Sequence, residues 1–378
     1  MIKIIRAITY CLPVLLVTAT AAMATQYPLV IRDITGKEIT IEKEPQRVSL
    51  QDGRDIYTLA LLDRDNPFKR IVSWTEVVHK TSPESLKTLA EKWGADMDEV
   101  ISLGKHKRDI NIEYLLKSNP DIMIAQYRIE PYLRESGLIS TLNKSNIPIV
   151  FIDTFEDPIH NTSKSIEILG KILNKERESL EFIDFNNRHI EGIKRKIKNL
   201  KNKPLVFVEA KAGVAGLDSC CFTHASIGWG KLIEAVGAKN LGSALLPGNV
   251  GQISMEKVIA ENPDIYILTG ARWAKKTNAS LPLGYETNEQ QIQEAFTSLV
   301  NRVGFKQLKA FKKKRVYGMY HQFYNHTYNI VALEYLAKII HPEIFKELEP
   351  QQTYDYIINN LTRLPENNYI FSAQYIKK

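Results

Sequence analysis

Four basic residues stand just beyond apolar runs that read as strands. They are Arg54 in Gln51-Asp52-Gly53-Arg54, Arg128 in Gln126-Tyr127-Arg128, Lys211, and Arg272 in Arg272-Trp273. Aromatic and imidazole side chains accompany them at the same kind of position: Trp74, Tyr127, Trp273, His321 and Tyr324. Arginine presents a planar fork that matches paired oxygens, and Trp and Tyr supply flat faces and cation–π partners. Together they suit an anion with bulky, flat parts. His321 and Tyr324 are also candidates to ligate a metal directly. However, His321 and His326 are separated by aromatic residues, and no histidine cluster has metal-ligand spacing. Catalysis has less support. The sequence holds no Gly-x-Ser-x-Gly elbow, His-Glu-x-x-His or P-loop, and Gly228-Trp229-Gly230 is too little for a dinucleotide fingerprint.

Cysteine chemistry is confined to one place. Of the three cysteines, Cys11 falls in the apolar N-terminus, which leaves the adjacent pair Cys220 and Cys221. Neighbouring Cα atoms lie ~3.8 Å apart, below the usual disulfide range that begins near ~4.4 Å. A vicinal disulfide, two buried thiols and a redox pair all remain open readings. The Cys-x-x-Cys spacing of thiol oxidoreductases is absent.

Alternating strands and helices must position these residues. Strands are predicted at Arg47–Leu50, Arg70–Ser73, Asp121–Ala125, Pro148–Ile152, Pro204–Glu209, Asp264–Thr269 and Arg315–Met319. Amphipathic stretches separate them, which implies parallel sheets covered on both faces. Ligands of such sheets sit beyond the carboxyl ends of the strands. The segment Ile110–Ile124 recurs at Ile253–Ile267, 143 positions later, with seven of fifteen residues identical. In each copy Asn111 or Ser254 can cap a helix, and Asn-Pro-Asp ends it before a short apolar strand. The fold class is therefore α/β, with two related Rossmann-like lobes. Arg128 and Arg272 follow the equivalent strand in each. Between the lobes, residues 161–202 read as linker helices, with a break at Asn174.

The N-terminus reads as an export signal. Lys3 and Arg6 precede an uncharged apolar stretch from Ala7 that ends in Ala22-Met23-Ala24, a small-x-small cleavage pattern. Residues 1–24 are therefore read as signal, 25–160 as the N-terminal lobe and 203–378 as the C-terminal lobe. The 378 residues are 44% apolar and 25% charged, as in an ordinary globular protein. Removing residues 1–24 lowers the charge from +7 to +5, because only Lys3 and Arg6 are lost. Lys312-Lys313-Lys314-Arg315 is the basic tract that stands out, too little for a nucleic-acid footprint.

Several segments in order along the chain carry a resemblance. They include Pro45-Gln46-Arg47-Val48, the Glu-x-x-x-x-x-Asn-Pro-Asp segment of each lobe, and Ile233-Glu234-Ala235-Val236-Gly237-Ala238-Lys239-Asn240. Val316-Tyr317, His321-Gln322-Phe323-Tyr324-Asn325 and Ala337-Lys338-Ile339-Ile340-His341-Pro342-Glu343 complete the set. On these the mature chain resembles the periplasmic substrate-binding proteins of ABC importers for ferric siderophores, haem and cobalamin. The resemblance implies a helical-backbone, class III binding protein: two lobes joined by a single long helix, with the ligand clamped between them. It implies a monomer in the periplasm, without enzyme activity, cofactor or nucleic-acid partner. It also implies that Glu113 and Glu256 dock onto an inner-membrane permease. The four basic residues then point to an anionic metal chelate, a ferric siderophore first. Haem, cobalamin and free Zn or Mn are the alternatives.

Overall fold

Short apolar runs, each followed by a loop, build two five-stranded sheets. The computed structural model describes residues 25–94, 99–273, 279–365 and 368–377. The predicted signal, residues 1–24, lies outside the described residues. In space the first sheet runs Ile101–Gly104, Ile71–Thr75, Val48–Leu50, Ile122–Gln126, Ile149–Ile152, all parallel. The second runs Lys239–Asn240, Leu205–Glu209, Ile265–Gly270, Val316–Tyr320, Ser372–Gln374. Its first four strands are parallel and its last is antiparallel. Ile122–Gln126 and Ile265–Gly270 are buried along their whole length, as strands covered by helices on both faces must be.

All seven predicted strands are present. Those not anticipated are short, lie at edges or alternate with solvent. They include Ile101–Gly104 and the antiparallel pairs Leu29–Arg32 with Glu38–Ile41 and Phe222–His224 with Val250–Gln252. Each sheet starts at an inner strand, builds to one side, and then crosses over. The crossings fall between Val48–Leu50 and Ile122–Gln126, and between Leu205–Glu209 and Ile265–Gly270. The loops leaving these four strands carry Arg54, Arg128, Lys211 and Arg272. Such reversals open a crevice at the carboxyl edge of a sheet.

The sequence repeat is a repeat of hydrogen bonding. Asn111 Oδ1 accepts from the Tyr114 N–H at 3.0 Å, and Ser254 Oγ accepts from the Lys257 N–H at 3.3 Å. These caps open helices Ile112–Lys117 and Met255–Glu261. Asn119 and Asn262 both turn into the left-handed region, with φ of 43° and 51°. The aspartate that follows each proline then anchors the strand with which its lobe's five-stranded sheet begins in chain order. Asp121 Oδ2 accepts from the N–H groups of Gln46 and Arg47, and Asp264 Oδ2 from that of Leu205.

Helices Asn161–Ile172 and Glu176–Ile197 connect the lobes, and the break falls at Asn174, at φ 56°. Among the described residues no helix is long and apolar enough to cross a membrane. Ser179, Phe182, Phe185, Ile190 and Ile193 form the buried stripe of the long helix. Gly170 lets it close on its neighbour: a Cβ there would lie 2.3 Å from Ser179 Oγ. Gly170→Ala is expected to destabilise the protein by roughly 1–3 kcal/mol through overpacking. Ser179→Gly in the same chain is expected to restore part of the loss. Thermal unfolding of the wild type and both variants checks this, and an unchanged midpoint in Gly170→Ala would refute it.

Candidate functional site

A cavity of about 470 Å³ lies where the two crossover points face each other. Arg54, Lys80, Lys105, Lys107 and Arg108 line it from the first lobe. Lys211, Trp273, His321, Gln322 and Tyr324 line it from the second. Six of the lining residues are cationic, and Asp109 is the one carboxylate among them. The lobes meet beside the cavity through Arg54 Nη1 to Gln322 Oε1 at 3.4 Å, Gln322 Nε2 to the Thr81 carbonyl at 3.2 Å, and the Ser82 and Tyr320 hydroxyls at 3.3 Å.

Asp52 organises the charge of the first lobe. Its buried carboxylate accepts from Arg54 Nε at 2.8 Å and Nη2 at 2.5 Å, and from Arg128 Nη2 at 2.9 Å. Arg128 also lies over the Phe155 ring, 5.0 Å from its centroid. Burial alone would raise the Asp52 pKa, but the Arg54 and Arg128 charges outweigh it and hold Asp52 below the usual carboxylate range. Asp55, two residues past the crossover turn, behaves oppositely. Burial, and then the Asp52 charge, push its pKa up to about 8. Asp55 Oδ1 accepts from Gln126 Nε2 at 2.7 Å, while Oδ2 is buried without a partner among the described residues.

The loop from Lys105 to Asp109 brings the densest charge. It leaves the strand Ile101–Gly104, and Gly104 adopts φ 145°. A Cβ on Gly104 would fall 1.7 Å from the Asp109 carbonyl oxygen, so only glycine lets the loop fold back this closely. The sequence reading misses this loop because its strand, Ile-Ser-Leu-Gly, is too short to be recognised. The run Lys105-His106-Lys107-Arg108 was the available signal.

From the second lobe, Lys211 takes a left-handed conformation at φ 57°, uncommon for lysine, and its N–H donates to Thr269 Oγ1 at 3.0 Å. The same hydroxyl lies 2.7 Å from His321 Nδ1. His321 Nε2 and Trp273 Nε1 are buried without a partner among the described residues. Burial, then the Lys211 charge, keep His321 neutral, with its pKa well below the ordinary value. Tyr324 packs with His321, His224 and Phe155, ring centroids 4.8, 5.0 and 5.5 Å away.

The predicted residues therefore separate. Arg54, Lys211, Trp273, His321 and Tyr324 come together at the cavity. Arg128 stands behind it, tied to Asp52. Trp74 lies within its strand, 1% exposed, edge-on to Phe68 in the core of the first lobe. Tyr127 is 41% exposed and outside the cavity. Arg272 turns away to pair with Glu84 across the lobes at 3.5 Å and to donate to the Glu286 carbonyl. The repeat fixes the strand that precedes Arg128 and Arg272, but not the direction in which each side chain leaves it. Glu113 and Glu256 are exposed on the first turns of the two capped helices, and among the described residues neither is ion-paired. The sulfurs of Cys220 and Cys221 are bonded to each other. Cys221 is buried 3.5 Å from the Tyr266 hydroxyl, and the pair does not line the cavity.

Asp55 yields a pH test. Its folded pKa lies above the unfolded value, so its contribution to stability is present in acid and lost as pH rises toward about 8. Asp55→Asn removes that loss. The stability of the variant relative to wild type is expected to grow between about pH 5 and about pH 8. Urea unfolding at several pH values measures this, and a constant difference would refute it.

A model of the periplasmic binding protein family matches residues 79–322. The chain is similar to YvrC of Bacillus subtilis, an uncharacterized ABC transporter substrate-binding lipoprotein. Identity is 24% over 327 residues, covering 85% of this chain and 88% of the relative. Among solved structures, the TroA-like periplasmic binding protein FepB from Veillonella parvula superposes with a TM-score of 0.83 at 24% identity, covering 92% of this chain and 100% of that one. The molybdate-binding MolA of Haemophilus influenzae superposes with a TM-score of 0.67 at 16% identity, covering 90% and 100%. The two crossover sheets, the helical connection and the cleft between lobes are those of this fold, and the chain belongs to the periplasmic binding protein family.

Proposed function

We propose that this protein is the extracytoplasmic substrate-binding component of an ABC importer, and that it carries an anionic metal chelate, a ferric siderophore first. The observation that carries this reading is the imbalance of charge in the cleft, six cations against one carboxylate, beside the aromatic wall of Trp273 and Tyr324. YvrC, named as an ABC transporter substrate-binding lipoprotein, supports the transport role. MolA, solved with molybdate, shows that this fold can hold an anion. The guanidinium of Arg54 and the ammonium groups of Lys107 and Lys211 suit catecholate or carboxylate oxygens. Trp273 offers its face and its free indole N–H. His321 presents a neutral Nε2 to the same space.

A free-metal site has less support. Among the described residues, the group with three metal-type ligands close together is Glu209, Cys220 and Cys221. Its carboxylate is already taken by Arg302, at 2.6 and 2.5 Å, and by the Tyr266 hydroxyl at 2.7 Å.

Trp273 makes the reading testable by fluorescence. Ferric catecholates and ferric citrate are expected to quench the intrinsic emission saturably, while Zn, Mn, haem and cobalamin leave it unchanged. Selective haem binding with a Soret shift would overturn the siderophore assignment. Uptake tests the importer role separately. Reversing the charge at both Glu113 and Glu256 is expected to abolish uptake in cells without changing chelate affinity. An unchanged uptake rate would remove these residues as the docking contacts.

A further inference from the structure

We propose that Lys107 is the charge-selecting residue of the cleft, and that it takes up a proton when a polyanionic ligand binds. This rests on the cleft being an anion site, and it adds a pH dependence that the site's fixed charges cannot supply.

The geometry begins with the loop. The Asp109 N–H donates to the His106 carbonyl at 2.9 Å, and the Asn111 N–H to the Leu103 carbonyl at 2.8 Å. Gln51 Nε2 donates to the Lys107 carbonyl at 2.8 Å. The backbone is thus held at both ends and at Lys107 itself. Lys105, His106, Arg108 and Asp109 are exposed, while Lys107 between them is half-buried and lines the cavity.

Its surroundings are almost all of one sign. Arg54 and Lys80 line the same cavity from its own lobe and Lys211 from the other. The charges of Arg128 and Asp52, paired with each other behind the cavity, also act on it, and the buried His224 feels its charge in turn. Two carboxylates stand near it: Asp109, exposed on the same loop and lining the cavity, and Asp52, which both arginines already hold. Among the described residues no carboxylate forms an ion pair with Lys107. The Arg128 charge, then burial, then the Arg54 charge lower the Lys107 pKa to about 7, with Asp52 opposing them. Guanidinium groups keep their protons throughout, whereas an ammonium so placed does not. Arg54 and Arg128 therefore supply permanent charge, and Lys107 supplies charge that the ligand calls up.

The sign follows from linkage. Below about pH 6 Lys107 is charged with or without ligand, so binding moves no proton. Near about pH 8 the free protein has lost that proton, and the anion-bound protein regains it. Affinity for a polyanion should then be about tenfold weaker at about pH 8 than at about pH 6. A neutral ligand should show no such fall.

Hexacyanocobaltate(III), a redox-inert trianion that does not titrate in this range, is a suitable probe. Calorimetry in buffers of different protonation enthalpy is expected to show uptake of nearly one proton at about pH 8, and the tenfold fall in affinity. Lys107→Arg should bind as tightly as wild type does in acid, with no pH dependence. Lys107→Gln should bind weakly at every pH. A slope that survives in Lys107→Arg would overturn the proposal and place the proton elsewhere, Asp55 first. A ferric catecholate titrated in parallel separates the two readings. Chelate binding with no proton uptake by either ligand overturns this inference alone. Proton-linked binding of the trianion with no chelate binding overturns the chelate assignment alone.

Discussion

One buried carboxylate, Asp52, makes the charge of this cleft tolerable. Arg54 and Arg128 come from neighbouring strands of one sheet and would repel each other, each at a large desolvation cost, without it. Removing one partner of such a buried arrangement costs ~3–5 kcal/mol, because a charge is left unpaired in low dielectric. Asp52 is therefore as much a folding requirement as a binding one. Its two oxygens are spent on the two guanidiniums, so it forms no ion pair with the lysines that line the cavity. The same carboxylate acts on Asp55, whose pKa is pushed up first by burial and then by the anion beside it.

The second constraint is how the lobes meet. Residues His321 to Asn329 of the C-terminal lobe run along the N-terminal one. Tyr328 donates to the Tyr57 carbonyl at 2.9 Å, Asn329 Nδ2 to Thr162 Oγ1 at 2.7 Å, and Thr154 Oγ1 to the Asn325 carbonyl at 3.2 Å. Arg363 reaches Asp65, and Arg272 reaches Glu84. Such contacts, with the helix Glu176–Ile197 packed on both Asn161–Ile172 and Asn329–Ile340, oppose large rotation of one lobe against the other. The Arg128 charge, burial and the Arg54 charge that lower the Lys107 pKa belong to its own lobe, and the meeting of the lobes adds the smaller effect of Lys211.

Much of this architecture is legible in the sequence because it depends on local pattern. Parallel strands buried on both faces appear as short apolar runs, and the repeated Asn-Pro-Asp marks the same cap, turn and strand anchor twice. Asn174 announces the break between the linker helices. The site is less legible, because a side chain's direction is set by tertiary partners. Arg272 lies in the expected loop, but Glu84, from the other lobe, draws it outward. Trp74 lies within its strand inside the core, since the strand runs to Thr75, two residues beyond its predicted end at Ser73, and turns a loop residue into a buried one. Lys107 sits in a basic run plain to see, yet nothing local says that it alone of the run is half-buried. That follows from Gly104 and from the reach of Gln51.

The two lobes share a plan but divide the chemistry. The first contributes Arg54, Lys80, Lys105, Lys107 and Arg108, with Arg128 and Asp52 behind them. The second contributes Lys211 and otherwise uncharged surface: Trp273, Tyr324, neutral His321 and Gln322. The anion proposed as ligand would therefore meet a strong field gradient across a cavity only about 470 Å³ in volume. Its charged oxygens are drawn to the N-terminal lobe, and its flat or apolar parts are left to the C-terminal one. The gradient orients the ligand before any single hydrogen bond is made. It also explains why the repeat, which governs strands and caps, leaves no trace in the residues that line the cleft. The backbone needs of the two halves are the same, whereas a ligand with two different faces requires two different walls.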